Sequence, residues 1–266
     1  MLTRIRTAAL DLLYPERCVN CGEFGTLLCL PCREGMGPAL GAGRCPHCRA
    51  QWTGSGNCPR CFGLQAIDGV LAAVEMNGAG RKIVHALKYQ NVRQMAVVMA
   101  PHLRTASEGR CFDAVFAVPL HRSRLRERGF NQSELLVRAA GWPEPPGGLL
   151  RTRKTTRQVG MHEGERRANV AGAFAYGGPA LTGFCVAIVD DVVTTGATVQ
   201  ACAADEQRGE QPISQPTART NSSDWLKPRS RSRERCRGTA NTASNRGPSE
   251  AVRRWGAITT AIWRTY

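Results

Sequence analysis

The chain has 266 residues and a formal net charge of +15, which allows one large or two smaller domains with a real hydrophobic core. A positive charge of this size favours polyanionic partners, either nucleic acid or phosphorylated metabolites. No segment combines the length and apolarity of a transmembrane helix, so we expect no membrane span.

The first 13 residues, MLTRIRTAALDLL, contain early arginines and several apolar side chains. They lack the long apolar core and the cleavage site of a signal peptide. We therefore predict an amphipathic helix that packs on the following segment, in a cytoplasmic protein.

Four C-x-x-C pairs occupy the next part of the chain. Each such turn points two thiolates at one ion, and two turns complete a tetrahedral shell of four cysteines. The pattern predicts two structural Zn²⁺ ions in a module spanning residues 1–66, which has too few large apolar side chains to fold without metal. The simplest pairing is sequential, but spacing alone leaves interleaved pairing open. The predicted ligands are Cys18, Cys21, Cys29 and Cys32 for one ion and Cys45, Cys48, Cys58 and Cys61 for the other.

Other roles for these cysteines are weaker. A disulfide framework needs an oxidising compartment, and nothing in the sequence indicates secretion. A redox C-x-x-C pair occurs singly in a βαβ context rather than four times. We expect His47, inside one pair, to be a spectator, and Cys111, Cys185 and Cys202 to be small core residues.

Residues 67–204 alternate between apolar runs typical of strands and segments with helical spacing. This alternation predicts a parallel α/β sheet, whose ligands bind at the carboxyl ends of the strands. The predicted strands are 69–76, 113–119, 170–176 and 185–190, and the predicted helices are 78–89, 93–105 with a break at Pro101, 130–140 and 199–204.

Two basic segments interrupt this alternation. The loop 121–129 follows a predicted strand and holds four arginines that cannot pack in a core: Arg122, Arg124, Arg126 and Arg128. They are candidate contacts for pyrophosphate or nucleic acid, with a solvated basic loop as the alternative. Residues 151–169 form a second basic segment, of a length that is usually functional or disordered.

The stretch 186–199 reads VAIVDDVVTTGATV. A buried strand ends at Asp190 and Asp191 and turns through residues 194–198 into a helix. N–H groups at a helix N-terminus bind phosphate and carboxylates bind ribose hydroxyls, so the pattern predicts a site for a phosphorylated sugar. An ordinary turn with N-capping threonines would explain one threonine, but not the paired acids and three threonines around a glycine.

The pattern stops after Ala204. Only seven of the 46 residues from 205 to 250 are hydrophobic, too few to offset their ordering entropy, so we predict a disordered basic tail at 205–266. A frameshift would explain the abrupt change, and the sheet would then lack a strand and expose an edge. The alternative is a genuine arm that contacts nucleic acid through Arg229, Arg231, Arg233, Arg235 and Arg237.

The stretch 186–199 resembles the phosphoribosyl-pyrophosphate (PRPP) signature of type I phosphoribosyltransferases. The resemblance implies that Asp190 and Asp191 contact the ribose 2- and 3-hydroxyls, and that the following loop wraps the 5-phosphate through Thr194, Thr195, Gly196, Ala197 and Thr198. It also implies that the basic loop faces the pyrophosphate, with Arg122, Arg126 and Lys88 as candidate contacts, although Lys88 on its helix is as easily a solvated charge. A mobile loop containing Gln158, Arg166, Arg167 and Asn169 would cover the site.

A narrower resemblance covers residues 8–204. The cysteine pairs are followed in order by LKY at 87–89, VPLH at 118–121, RGFNQ at 128–132, QVG at 158–160, RRANV at 166–170 and the PRPP signature. Together these resemble the ComF family, whose members are linked to natural competence and DNA uptake. The resemblance implies a double zinc ribbon at 1–66 and a type I phosphoribosyltransferase domain at 67–204, truncated at its C-terminal end.

Two functions follow from this resemblance. The first is a phosphoribosyltransferase, a pentosyl glycosyltransferase, that uses PRPP and Mg²⁺, with Asp190 and Asp191 supporting the oxocarbenium that develops at ribose C1. The second is a non-catalytic module that binds single-stranded DNA by stacking bases on Tyr89 and Phe130, with a PRPP-sensing or relic pocket. Competence-machinery proteins are expected partners. A glutamine-dependent amidophosphoribosyltransferase is disfavoured, because Cys18 is not an N-terminal nucleophile.

Overall fold

A computed structural model describes residues 15–37, 43–45, 47–50, 52, 54, 58–143, 145, 147–155, 162–181, 184–207 and 254–262. The predicted N-terminal helix, Gln158 and the arginines of the proposed basic arm lie outside these ranges. Within them, no helix is both long enough and apolar enough to cross a bilayer.

Four parallel strands form the central sheet: β1 (Gly69–Glu75), β2 (Ala114–Ala117), β5 (Cys185–Val193) and β6 (Arg254–Ile262). Their order across the sheet is β1–β6–β5–β2. Val186 to Val189 of β5 are wholly buried, as the continuous apolar run of a strand covered on both faces requires. The prediction of a parallel α/β fold is confirmed.

Two further strands, β3 (Gly148–Arg151) and β4 (Phe174–Gly177), pair as a separate antiparallel hairpin. The sequence pattern placed a strand near β4 but missed β3, which is short and has Leu150 exposed to solvent. The hairpin brings the start of the second basic segment alongside Phe174.

Seven helices and a 3₁₀ helix at Pro59–Gly63 complete the described structure. They are α1 (Leu30–Glu34), α2 (Gly78–Tyr89), α3 (Met95–Ala106), α4 (Arg122–Arg128), α5 (Gln132–Ala140), α6 (Glu163–Val170) and α7 (Ala197–Gln207). One face of the sheet packs against α2, α3 and α5, and the other packs against α7.

The expected break at Pro101 is wrong, because α3 continues through it. Proline removes the bond to the carbonyl four residues earlier, that of Val97. Val97 is 67% exposed, so water can satisfy this carbonyl. Met95, Met99 and Leu103 on the opposite side are fully buried and hold the helix on the core.

The expected gap in the sheet is also absent from the structure. Residues Arg254–Ile262, at the end of the segment predicted to be a disordered tail, form β6 and pair with both β1 and β5. This run is rich in β-branched residues, which favour strands, in contrast to residues 205–250. Residues 208–253 lie outside the described ranges.

The cysteine module packs directly on the sheet. The backbone N–H of Val70 on β1 donates to the His47 carbonyl at 2.8 Å, and a largely buried ion pair joins Arg44 to Glu75. These contacts attach the module to both ends of β1, and at Val70 they satisfy a backbone group on the side of the strand that β6 does not occupy.

Candidate functional site

The two acids lie near the carboxyl end of β5, and the strand continues past them to Val193. Asp191 is 3% exposed, and its backbone N–H donates to Asp190 Oδ1 at 2.9 Å. Burial, followed by the charge of Asp191, raises the pKa of Asp190 to about 7. Two carboxylates so close together repel each other, and a nearby positive charge would stabilise both.

Lys88 supplies part of that charge from the last turn of α2. Its Nζ lies 2.9 Å from Asp191 Oδ2, and both side chains are largely buried. Burial alone would lower the pKa of Lys88, but the charges of Asp191 and Asp190 raise it above its usual value. Lys88 is therefore a charged partner of the acid pair rather than a solvated surface residue.

Residues 194–198, which we call the Thr/Gly loop, connect β5 to α7. Gly196 has a φ of +78°, a conformation that favours glycine, and a Cβ there would collide with Leu64 of the cysteine module. The Ala197 N–H donates to Thr195 Oγ1 at 3.4 Å. The N-terminus of α7 therefore carries amide groups and a positive dipole end beside the two acids.

A cavity of about 190 Å³ opens over these groups. It is lined by the acid pair, Lys88, Tyr89 and the Thr/Gly loop. The remaining lining residues are Val118, Leu120, Arg124, Arg128, Gln132, Arg151, Val192, Val193 and Val199. The lining contains four cationic side chains and two carboxylic acids, so it favours a ligand that carries several negative charges.

The basic segment 121–129 is a helix, α4, rather than the expected loop. His121 caps its first turn through its ring, and Gly129 ends it at a φ of +77°. Helical spacing places residues four apart on the same side, and the side that lines the cavity carries Arg124 and Arg128. The predicted contacts Arg122 and Arg126 are not among the lining residues.

Arg151 is a cavity residue that the sequence analysis did not single out, because the hairpin alone positions it. Its guanidinium lies 5.2 Å from the Phe174 ring centre and donates to the Thr155 hydroxyl. Burial, and then the charge of Arg124, lowers the pKa of Arg151. Its buried Nε has no hydrogen-bond partner among the described residues.

The expected covering loop is only partly described. Arg166 of α6 donates from Nη1 to Thr194 Oγ1 at 3.3 Å, which brings this helix to the Thr/Gly loop. Arg167 lies against Gly63 of the cysteine module, and the Asn169 carbonyl accepts a bond from Arg153 at 3.1 Å.

The eight cysteines fall into two groups, in sequential and not interleaved pairing. Within each group the four Sγ atoms lie within 4.8 Å of one another. Representative Sγ–Sγ distances are 3.5 Å for Cys21 and Cys29 and 3.7 Å for Cys48 and Cys58. A tetrahedral zinc site with Zn–S bonds of about 2.3 Å needs Sγ atoms about 3.8 Å apart, so both groups fit structural zinc.

Comparison with known proteins agrees with this geometry. Residues 9–62 match the family model described as a double zinc ribbon domain. The DNA utilization protein YhgH of Escherichia coli O157:H7 is 33% identical over 130 residues, which cover 44% of this chain and 56% of that protein. Competence protein F of Haemophilus influenzae is 36% identical over 93 residues, 33% of this chain and 41% of that protein.

The chain thus spans little more than half the length of the YhgH relatives that it matches. The fold and the paired cysteine groups define an α/β protein with a parallel sheet and an N-terminal double zinc ribbon. With the relatives above, they support a ComF-family protein with an N-terminal zinc ribbon.

We expect the purified protein to contain two zinc ions per chain, measured by elemental analysis. Cys58→Ser should lower the content to about one and destabilise the fold, because a structural site contributes its binding energy to folding. The control Cys111→Ser, outside both groups, should retain two. A folded preparation with less than one zinc per chain would contradict the metal assignment.

We expect Asp190→Asn to stabilise the fold at pH 8. An acid whose pKa is higher in the folded state than in the unfolded state lowers the free energy of unfolding once the pH exceeds the unfolded-state pKa. This destabilisation reaches its full size when the pH exceeds the folded-state pKa. With a shift from 3.8 to about 7, the gain should reach at most about 4 kcal/mol at roughly 1.4 kcal/mol per pKa unit.

This gain should fade as the pH falls from 7 to 4, measured by urea unfolding at several pH values. Asp113→Asn is the matched control, because Asp113 accepts the Cys185 N–H at the other end of β5. An equal gain for Asp190→Asn at pH 8 and pH 4 would contradict the buried charge as the cause.

Proposed function

We propose that this protein binds PRPP with Mg²⁺ and transfers its phosphoribosyl group to an acceptor, acting in DNA utilisation or competence. The observation that carries the proposal is the convergence of the acid pair, the Thr/Gly loop and the cationic side chains on one cavity. The setting is taken from the relatives, which are named for DNA utilisation and competence.

Each part of PRPP has a counterpart in the cavity. Amide groups of the Thr/Gly loop and the N-terminus of α7 suit the 5-phosphate. Asp190 and Asp191 suit the ribose hydroxyls as hydrogen-bond acceptors. Arg124, Arg128 and Arg151 suit the pyrophosphate, because guanidinium groups form charge-assisted bonds to phosphate oxygens. The buried, unpaired Nε of Arg151 supports a role in binding an anion.

The residues also fit Mg²⁺, which prefers oxygen ligands. Burial and then the charge of Asp191 raise the pKa of Asp190, so a further cation would stabilise its charged form. Bound Mg²⁺ would neutralise charge on the leaving pyrophosphate. In the reaction, the C1–O bond breaks with its electron pair going to pyrophosphate, the acceptor's lone pair forms the new bond to C1, and the acceptor's proton passes to solvent water. The arginines stabilise the leaving group, and the acids hold the ribose beneath the developing positive charge at C1.

The two zinc sites also indicate the cellular compartment that we propose for this protein. Eight thiolates remain available to zinc where the thiol pool is reduced, which favours the cytoplasm. Proteins of the competence machinery are the partners that we propose there.

We expect calorimetry to detect saturable binding of PRPP in the presence of MgCl₂. Asp190→Asn and Asp191→Asn should each raise the dissociation constant about tenfold or more, equivalent to about 1.4 kcal/mol, because each removes a charged acceptor from the site. Asp113→Asn should bind as the parent does. PRPP-dependent release of pyrophosphate, tested with added base acceptors, should be lost in Asp190→Ala. Absence of PRPP binding by the parent protein would overturn the proposal.

A second candidate function, binding of single-stranded DNA, is favoured by Tyr89 at the edge of the same cavity. Tyr89 is 68% exposed, and the Arg128 guanidinium lies 5.8 Å from its ring centre. An exposed ring beside arginines is a surface on which a base stacks. Phe130, the other expected stacking residue, is 7% exposed and lies under Arg93.

If DNA binds here, Tyr89→Leu should weaken the binding of a fluorescent oligothymidine about tenfold at low salt, the scale of one lost stacking contact. Phe24→Leu is the matched control, because Phe24 is also an exposed ring with an arginine, Arg17, over it. Binding should fall steeply as salt rises and survive Asp190→Asn. Equal affinities of the parent and Tyr89→Leu would exclude Tyr89 as the stacking platform.

A further inference from the structure

The second zinc ribbon, built on Cys45, Cys48, Cys58 and Cys61, touches the Thr/Gly loop directly. Arg60, between two of these cysteines, donates from Nη1 to the Thr194 carbonyl at 3.4 Å. Leu64, three residues beyond Cys61, is 3% exposed and lies so close to Gly196 that a Cβ there would force the Leu64 side chain to shift. The loop that faces the cavity is therefore supported from behind by the ribbon.

The ribbon is also tied to the helix that the loop begins. The Ala66 N–H donates to Gln200 Oε1 at 3.0 Å, and the Gln200 N–H donates to the Gly196 carbonyl at 2.9 Å. Leu64 shares a buried cluster with Ala197 and Val199 of α7. A displacement of residues 60–66 would therefore reach both the loop and the first turn of α7.

The metal site determines where these supporting residues lie. Cys58 precedes the 3₁₀ helix that contains Arg60 and Cys61, and the Cys61 N–H donates to the Cys58 carbonyl at 3.0 Å. The Leu64 N–H in turn donates to the Cys61 carbonyl at 3.0 Å. Two ligands of one ion thus set the direction of Arg60 and the position of Leu64.

We propose that Arg60 and Gln200 are positioning residues, through which the second zinc ribbon holds the Thr/Gly loop in the shape that receives the 5-phosphate. The proposal rests on the proposed function for its ligand. The claim that these residues make the loop rigid can be tested on the protein without ligand. A loop that is held before binding loses less conformational entropy when it closes on phosphate.

The test uses the zinc-loaded full chain, with Arg60→Met, Gln200→Met and Arg60→Lys. Arg33→Met is the matched control: Arg33 follows Cys32 in the first ribbon and lies near α3, where burial and then its charge lower the pKa of His102. All four variants should retain two zinc ions. Amide hydrogen exchange of residues 194–198 is measured without ligand, and calorimetry measures binding of PRPP with MgCl₂.

Arg60→Met and Gln200→Met should each speed exchange in the loop and raise the PRPP dissociation constant, both about tenfold, while exchange in β1 and α3 stays unchanged. Arg60→Lys should recover part of the loss, because it keeps a donor, and Arg33→Met should behave as the parent does. Unchanged loop exchange in both methionine variants would overturn the proposal, as would faster exchange across the whole chain. If the parent fails to bind PRPP, the proposed function falls, and the exchange measurement still decides the positioning role.

Discussion

Two carboxyl groups lie side by side near the carboxyl end of β5, and their burial makes two negative charges costly unless cations are close. Lys88 meets this need from α2, with its Nζ 2.9 Å from Asp191 Oδ2. Arg124 and Arg151 reach the same cavity from α4 and the hairpin. The positive charges around the acid pair therefore come from three separate elements, α2, α4 and the β3–β4 hairpin. A further cation would stabilise the two carboxylates.

The zinc ribbons are part of this domain rather than an appendage. The first ribbon shares a buried cluster with α2 and α3, and the second shares one with α7, so the ribbons lie on opposite faces of the sheet. Arg49 also donates to the Val70 carbonyl of β1 at 3.3 Å, next to the bond from Val70 to His47. Because the ribbons contribute to both cores and contact β1, metal binding would contribute to the stability of the whole fold.

The basic residues show how secondary structure selects among similar side chains. Four arginines in α4 look equivalent in sequence, yet helical spacing directs Arg124 and Arg128 to the cavity. Arg128 also donates to Gln132 of α5 and lies beside Tyr89, which links the site to the two neighbouring helices. The same cavity edge thus places cationic side chains beside an exposed aromatic ring.

Local sequence alone determined the cysteine groups, the buried strand that ends near the acid pair, and the turn into α7, since each depends on residues close together in the chain. It misjudged Pro101, because packing outweighs local preference there, and it missed the last strand, although the β-branched residues of that run favour a strand. Tertiary structure alone decided which arginines face the cavity, that Lys88 pairs with Asp191, and that β6 completes the sheet. The bond from Arg60 to Thr194 joins residues 134 positions apart; no local pattern encodes such a contact, because it exists only after the sheet and the zinc ribbon have packed together.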